Sequence, residues 1–421
     1  MIRAVFLAAA TLVALTPLAH AQGFETPARA AYVLDHTTGT ELLAKNADEA
    51  LPPASMSKLM TLYMAFEAIA SGRLSIEQRL PVSEHAASYG GSSMFLDTTD
   101  RVRVEDLLRG VIVLSGNDAS AVLAEALSPD GTEAGFARLM TERAREMGMM
   151  NSTFANSNGW PDPRQRMSMR DLGILASHLI SDFPTFYPIF AEQEFAFDGR
   201  VPSNSQNRNP ILGLGIGADG LKTGHTSEAG YGLVGSAKQG ERRVIFVVTG
   251  LDSTESRRVE AERLVNWSFR QFAQRDVGEA GTRISEAEVW MGERNRVGLA
   301  LGEDLSLLLP ATSKDEVDAE VVYQGPIEAP IEKGQQLAEL VIAREGLPAT
   351  RVPLVAETAV ARGGFVPRVK VAASVLFDRF GPEGLTLPGL DPLAEAPAPE
   401  PETEVAPEAD PEAEPATEDE T

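Results

Sequence analysis

The chain has no cysteine among its 421 residues. Disulfides, thiolate catalysis and cysteine-based zinc sites are therefore excluded, although the absence does not identify a compartment. Positive charge is also scarce: 37 Lys and Arg face 61 Asp and Glu, a net charge of -24. Nucleic-acid binding needs clustered Lys and Arg against phosphate, so no nucleic-acid partner is expected. The longest apolar stretch at the N-terminus, Ala4 to Leu18, is short for a membrane span.

What is present divides the chain into zones. Met1-Ile2-Arg3 is a short positive region, Ala4–Leu18 is apolar, and Ala19-His20-Ala21 has the small residues of a cleavage site. Residues 1–21 read as a secretory signal peptide, and export to the periplasm or the outer face of the cytoplasmic membrane is expected. At the other end, half of the excess negative charge lies between Asp391 and Thr421, where twelve acids occur with no Lys or Arg. The Pro, Ala and Glu composition of residues 384–421 cannot bury a core. Between these ends, a hydrophobic content of 43% is ample for large cores, and the length allows two domains.

In order, Arg29–Asp35 and Thr40–Ala44 read as two strands around a turn at 36–39. A helix follows Ser55 and ends near Ser71-Gly72. Ser83–Thr99 reads as a long loop. Val104–Leu114 is helical in period, and a second helix, Ala119–Leu127, starts after Asp118 as its N-cap. Two more helices span Thr132–Met147 and 168–181. Strands are expected at Leu221–Thr226, Tyr231–Ala237 and Arg243–Thr249, then a helix at Ser253–Phe272. Hairpin, helical block, three strands and helix make an α+β domain over residues 25–275: an antiparallel sheet with helices and an inserted helical lobe. Residues 277–357 then alternate short strands with Gly and Pro turns and read as a small all-β domain. In 359–381, Val369, Ala372, Ala373, Leu376 and Phe380 share a helical face, and Arg362, Arg368, Lys370 and Arg379 outnumber Asp378. Peripheral contact with a membrane interface and packing on the chain's own domain both fit this segment, although anionic lipid would repel the acidic tail beyond it.

Three short motifs stand out. Ser55-Met56-Ser57-Lys58 follows two prolines and opens a helix. Lys58 lies one turn from Ser55 on the same face, and an amine whose pKa is lowered by burial or a neighbouring cation can serve as the base that a serine nucleophile needs. Alone, Ser-x-x-Lys is common by chance and reads equally as an N-cap and a surface lysine. Ser115-Gly116-Asn117 occupies a tight connection between two helices, which is also ordinary turn chemistry. Lys222-Thr223-Gly224 lies on a strand with a glycine where another backbone or a ligand can come close. Together and in this order they match the S-x-x-K, S-x-N and K-T-G set of serine acyl-transfer enzymes.

On these motifs, and on Pro53–Thr61, Leu107–Val113 and Asp219–Thr226 around them, the chain resembles the low-molecular-mass penicillin-binding proteins of the D-alanyl-D-alanine carboxypeptidase family, serine peptidases with a β-lactamase/transpeptidase-like domain. The resemblance implies Ser55 as nucleophile on the bond between two terminal D-alanines of a peptidoglycan stem peptide. It implies Lys58 as general base, kept neutral by burial and by Lys222, and Ser115 as proton relay. Asn117, Lys222, Thr223 and Gly224 would bind substrate, with the backbone N–H of His225 completing an oxyanion hole with that of Ser55. Arg257 would help to hold the terminal carboxylate. No metal or organic cofactor is implied, and β-lactam antibiotics would act as covalent inhibitors. Gly116 stands where Ser-Asp-Asn β-lactamases have Asp, and no glutamate motif for deacylation is evident, which favours a carboxypeptidase over a β-lactamase. D,D-endopeptidase action, β-lactam hydrolysis and a penicillin-sensing or peptidoglycan-binding module without turnover are the competing readings.

Overall fold

The structure, a computed structural model, describes residues 24–311, 318–344 and 347–364. The N-terminal segment expected to direct export, the amphipathic stretch from 365 onward and the acidic tail lie outside the described residues. In chain order the elements are β1 (Ala30–Asp35), β2 (Thr40–Lys45), α1 (Lys58–Ala70), β3 (Arg79–Pro81), α2 (Glu84–Ala87), β4 (Arg101–Arg103), α3 (Val104–Ile112), α4 (Asn117–Leu127), α5 (Glu133–Glu146) and α6 (Met169–Asp182). They continue with β5 (Ala218–Thr226), β6 (Gly230–Gln239), β7 (Arg242–Leu251), α7 (Thr254–Gln271), β8 (Phe272–Gly278), β9 (Arg283–Trp290), β10 (Arg296–Leu301), β11 (Leu305–Pro310), β12 (Asp318–Val322), β13 (Ile327–Glu328), β14 (Gln336–Arg344) and β15 (Leu347–Ala356).

The first five-stranded sheet has the order β2-β1-β7-β6-β5, antiparallel throughout. Its central strands are apolar on both faces because both faces are covered. Along β7, Ile245 and Val247 enter a core with α1 and α6, whereas Val244, Phe246 and Val248 enter a second core with Ala261, Leu264 and Val265 of α7. α1 is apolar nearly all round and buries Leu59, Met60, Leu62, Tyr63, Ala65, Phe66 and Ala68, the signature of a helix inside a domain. The helices start where short polar side chains accept from free N–H groups: Thr132 from Gly135, Ser168 from Asp171, and Ser253 from Ser256 in a capping box.

The chain divides into two compact units. The first holds the sheet and helices up to Thr282 together with Glu303–Val322 and Glu339–Val352, where β8 pairs with β11 and β12 with β14, both antiparallel. The second comprises Arg283–Gly302, Tyr323–Ala338 and the chain from Pro353. Within it β10 lies antiparallel between β9 and the end of β15, and Ala287, Val297, Leu299, Leu301, Leu354 and Ala356 are buried. The fold is α+β, and from β8 onward every regular element described is a strand.

Local expectations needed correction. α4 begins at Asn117 with Gly116 as its N-cap, because Asp118 turns its carboxylate to other N–H groups. The stretch expected to be loop from Ser83 to Thr99 contains the one-turn helix α2, capped by Ser83 accepting from Ala86. α7 stops at Gln271 because Phe272 opens β8. β8, β13 and the short β3–β4 hairpin carry too few alternating apolar residues to register as strands in the sequence.

Candidate active site

Ser55 lies in a single 3-10 turn, Ala54–Ser57, that feeds directly into α1. Pro52 and Pro53 precede it, and Ala54 is held at φ +49°, a region that costs a non-glycine residue free energy and is occupied when the surroundings enforce it. Three glycines do the enforcing. A Cβ on Gly159 would sit 1.9 Å from the Ala54 carbonyl oxygen, one on Gly224 2.9 Å from that of Pro53, and one on Gly232 2.8 Å from Met56 Cε. Only without side chains can the 156–160 loop, β5 and β6 press against the turn this closely.

Lys58 begins α1 and is fully buried. Its Nζ lies 2.8 Å from Ser55 Oγ, 2.7 Å from Asn117 Oδ1 and 2.7 Å from the Asn158 carbonyl oxygen. The carbonyl can only accept, and Asn117 presents its oxygen because its Nδ2 donates to the Gly90 carbonyl at 2.8 Å. A neutral amine has two N–H bonds and one lone pair. With both N–H bonds directed at these acceptors, the lone pair faces the Ser55 hydroxyl. Burial first, and the Arg208 guanidinium second, bring the Lys58 pKa down to about 7, against the opposing pull of Asp118 and Glu133. Lys222, expected to bear on Lys58, is pushed well down by burial first and then by the charges of Lys58, Arg208 and Arg257, and the repulsion between the two amines disfavours the charged form of each.

Ser115 joins α3 to α4 at φ +60°, 2% exposed. Asn117 follows in the first turn of α4, and its N–H donates to the Ser92 carbonyl at 2.8 Å. Asp118 fixes the facing loop by accepting from Ser93 Oγ (2.6 Å), Met94 N (2.9 Å) and Leu96 N (3.1 Å). On β5, Lys222 and Thr223 are buried, and Lys222 Nζ donates to the Thr223 carbonyl at 3.2 Å. The exposed His225 ring stacks on Tyr231 at 3.9 Å. Arg257 lies on α7 with its guanidinium 5.7 Å from the Tyr231 ring centre, and burial lowers its pKa to about 10. The adjacent Arg258 points elsewhere and pairs with Glu255 and Glu262.

A cleft of about 230 Å³ brings these elements together. Ser55, Ser115, Thr223, Gly224, His225 and Arg257 line it, whereas Lys58, Asn117 and Lys222 are buried beside it. Four lining residues escaped the sequence reading: Ser92, Arg208, Tyr231 and Thr254. Arg208 donates to Ser92 Oγ. It sits in an irregular segment with no periodicity to read. The signal was local: Asn207 and Asn209 flank it, and their side chains brace the loop on Glu192 O, Asn209 N and Ile211 N. The Asn158 carbonyl is a backbone atom and carries no side-chain signal. Among the described residues no cluster of three or more His, Asp or Glu is arranged to hold a metal ion.

A serine hydroxyl facing a buried amine, beside the basic side chains of Arg208 and Arg257 and a strand edge, is suited to acyl transfer from a carboxylate-bearing substrate. Residues 17–253 match the D-alanyl-D-alanine carboxypeptidase family, and residues 272–362 match the penicillin-binding protein 5 C-terminal domain. D-alanyl-D-alanine carboxypeptidase DacA of Haemophilus influenzae is 38% identical over 322 residues, covering 75% of this chain and 81% of that protein. Among solved structures, penicillin binding protein 5 from Haemophilus influenzae superposes with a TM-score of 0.70 at 36% identity, over 81% of this chain and all of that one. Penicillin-binding protein D2 from Listeria monocytogenes in its ampicillin-bound form matches at 33% identity with a TM-score of 0.52, over 57% of this chain and 97% of that one. Motifs, fold and site therefore agree, and the chain belongs to the D-alanyl-D-alanine carboxypeptidase family of serine peptidases.

Proposed function

We propose that Ser55, Lys58 and Ser115 remove the terminal D-alanine of a peptidoglycan stem pentapeptide through an acyl-enzyme. The observation that carries this reading is the Lys58 amine, with a pKa near 7 and 2.8 Å from Ser55 Oγ. Lys58 takes the Ser55 proton as Oγ bonds to the penultimate carbonyl carbon. The N–H groups of Ser55 and His225 receive the oxyanion. The C–N bond then breaks, Ser115 passes a proton to the departing D-alanine amine, and water hydrolyses the ester with Lys58 again as base. Asn117 and Gly224 border the substrate backbone. Lys222, Thr223 and Arg257 hold the terminal carboxylate, a role supported by two buried basic side chains with few partners of their own. A β-lactam enters by the same attack and leaves a slowly hydrolysed ester.

Residues 25–275 serve as the catalytic domain and 277–357 as the all-β domain, a partition supported by the two family matches. The protein is exported after loss of residues 1–21 and acts in the periplasm or at the outer face of the cytoplasmic membrane; of the segment 359–381 only the part beyond Gly364 serves as a peripheral contact, because Val360 is buried and pairs with Ile331 and Arg362 donates to the Ala329 carbonyl. No described helix is long and apolar enough to cross a membrane.

Intact mass measurement after benzylpenicillin, alongside Ser55→Ala and Lys58→Ala, tests the site, and D-alanine release from a D-Ala-D-Ala peptide tests the reaction. An adduct lost in both variants, with D-alanine release by the wild type, is expected. An adduct without release would point to an endopeptidase or a sensor, and no adduct in a folded sample would end the acyl-enzyme reading.

A further inference from the structure

The buried carboxylate of Glu133 is not part of the cleft, yet it is tied to the base. Glu133 opens α5 and is 6% exposed. Its Oε1 accepts from the Ser157 N–H at 2.9 Å and also from the Ser157 hydroxyl. Its Oε2 takes the Tyr89 hydroxyl at 2.6 Å and lies 2.8 Å from His85 Nε2. Burial pushes its carboxyl up, but the bonds from Ser157, Tyr89 and His85 outweigh that and hold it below the ordinary glutamate value, so it is charged at neutral pH. The Ser157 carbonyl is pinned from the other side by Thr61 Oγ1 at 2.6 Å. One peptide further on is the Asn158 carbonyl, which receives Lys58.

We propose that Glu133 is a positioning residue: by gripping Ser157 it sets the place of the Asn158 carbonyl, and through it the direction of the Lys58 lone pair. This rests on Lys58 being the base that activates Ser55. The lone pair faces Ser55 only while both other acceptors hold the two N–H bonds. Asn117 Oδ1 is fixed by α4 and Gly90. The Asn158 carbonyl belongs to a loop with no regular secondary structure, and Glu133 joins that loop to α5, to Tyr89 and to His85 of α2. Losing this grip would let the carbonyl drift and leave the amine free to turn its lone pair from the hydroxyl. Orientation, not affinity for substrate, is what would suffer.

The test is the pH dependence of benzylpenicillin acylation, followed by intact mass, in wild type and Glu133→Gln. The charged groups bearing on Lys58 are Arg208, Asp118, Glu133 and Lys222, and those bearing on Glu133 are His85 and Glu125. Glu133 favours the ammonium form, so removing its charge moves the acid limb to lower pH. At the same time the plateau acylation rate should fall by about tenfold or more, as expected when a general base is misaligned, with KM for the peptide unchanged. The limb shift follows from the charge alone; a merely structural role would leave the plateau and the split between kcat and KM unchanged in the folded protein. A folded Glu133→Gln protein with a wild-type plateau overturns the proposal, whether or not the limb moves. If that variant does not fold, Ser157→Ala decides, since it removes one bond of the grip: a lower plateau at unchanged KM supports the proposal, and an unchanged plateau overturns it. A wild type that forms no adduct would instead overturn the acyl-enzyme reading on which it rests.

Discussion

At the residue scale, the decisive quantity is the proton on Lys58. An amine with an ordinary lysine pKa would be charged throughout the neutral range and could accept nothing from Ser55. Near 7 it is available, and the sign of the pH dependence follows: acylation is lost as pH falls through that value. Arg208 is the testable contributor. Its guanidinium favours the neutral amine, so Arg208→Ala should raise the Lys58 pKa and shift the acid limb of acylation to higher pH, opposite to Glu133→Gln. A pH–rate profile of that variant checks this, and an unshifted limb would mean that Arg208 does not act on the amine. Ser55, Lys58, Ser115, Asn117, Lys222, Thr223 and Gly224 could be picked out in the sequence by their motifs, and His225 and Arg257 by the family resemblance. Arg208 and Glu133 could not, because each acts across a contact between segments more than seventy residues from Lys58 in the chain.

At the element scale, the site is a turn squeezed between a loop and two strands. Gly159 meets two demands at once, a φ of +80° and the carbonyl of Ala54. Gly159→Ala should therefore destabilise the protein by about 1–3 kcal/mol and slow acylation even in the folded fraction, because the new methyl displaces the turn that carries Ser55. Denaturant melts and single-turnover acylation read the two effects separately. A stable, fully active variant would show that the turn is held by other contacts. Periodicity revealed the long elements well: α1, α5, α6, α7 and β5–β7 lie within a few residues of expectation, since each buries a regular stripe or face. It failed where geometry is set by tertiary bonds. The start of α4 was displaced because Asp118, a good N-cap by type, is engaged instead by the 93–96 loop.

At the scale of the whole molecule, two family matches in succession account for residues 17–253 and 272–362, and the strongly charged remainder lies beyond them. Deleting residues 365–421, which leaves Val360 and its pairing with Ile331 in place, should release the protein from membranes without lowering its activity on a soluble peptide. Cell fractionation of the full chain gives the opposing result directly: if it is already soluble, the peripheral contact is dismissed. Lys58 also has a consequence for the protein's exchange with its surroundings. With a pKa of about 7, Lys58 exchanges its proton with the solution in the neutral range, and the protonated molecules cannot react. Capture of an acylating ligand uses only the neutral amine, so any difference in the hold on that proton between the free and the acylated protein is exchanged with the medium. The heat of acylation would then depend on the ionisation enthalpy of the buffer, and a calorimeter run in two buffers would count those protons without any chemical label.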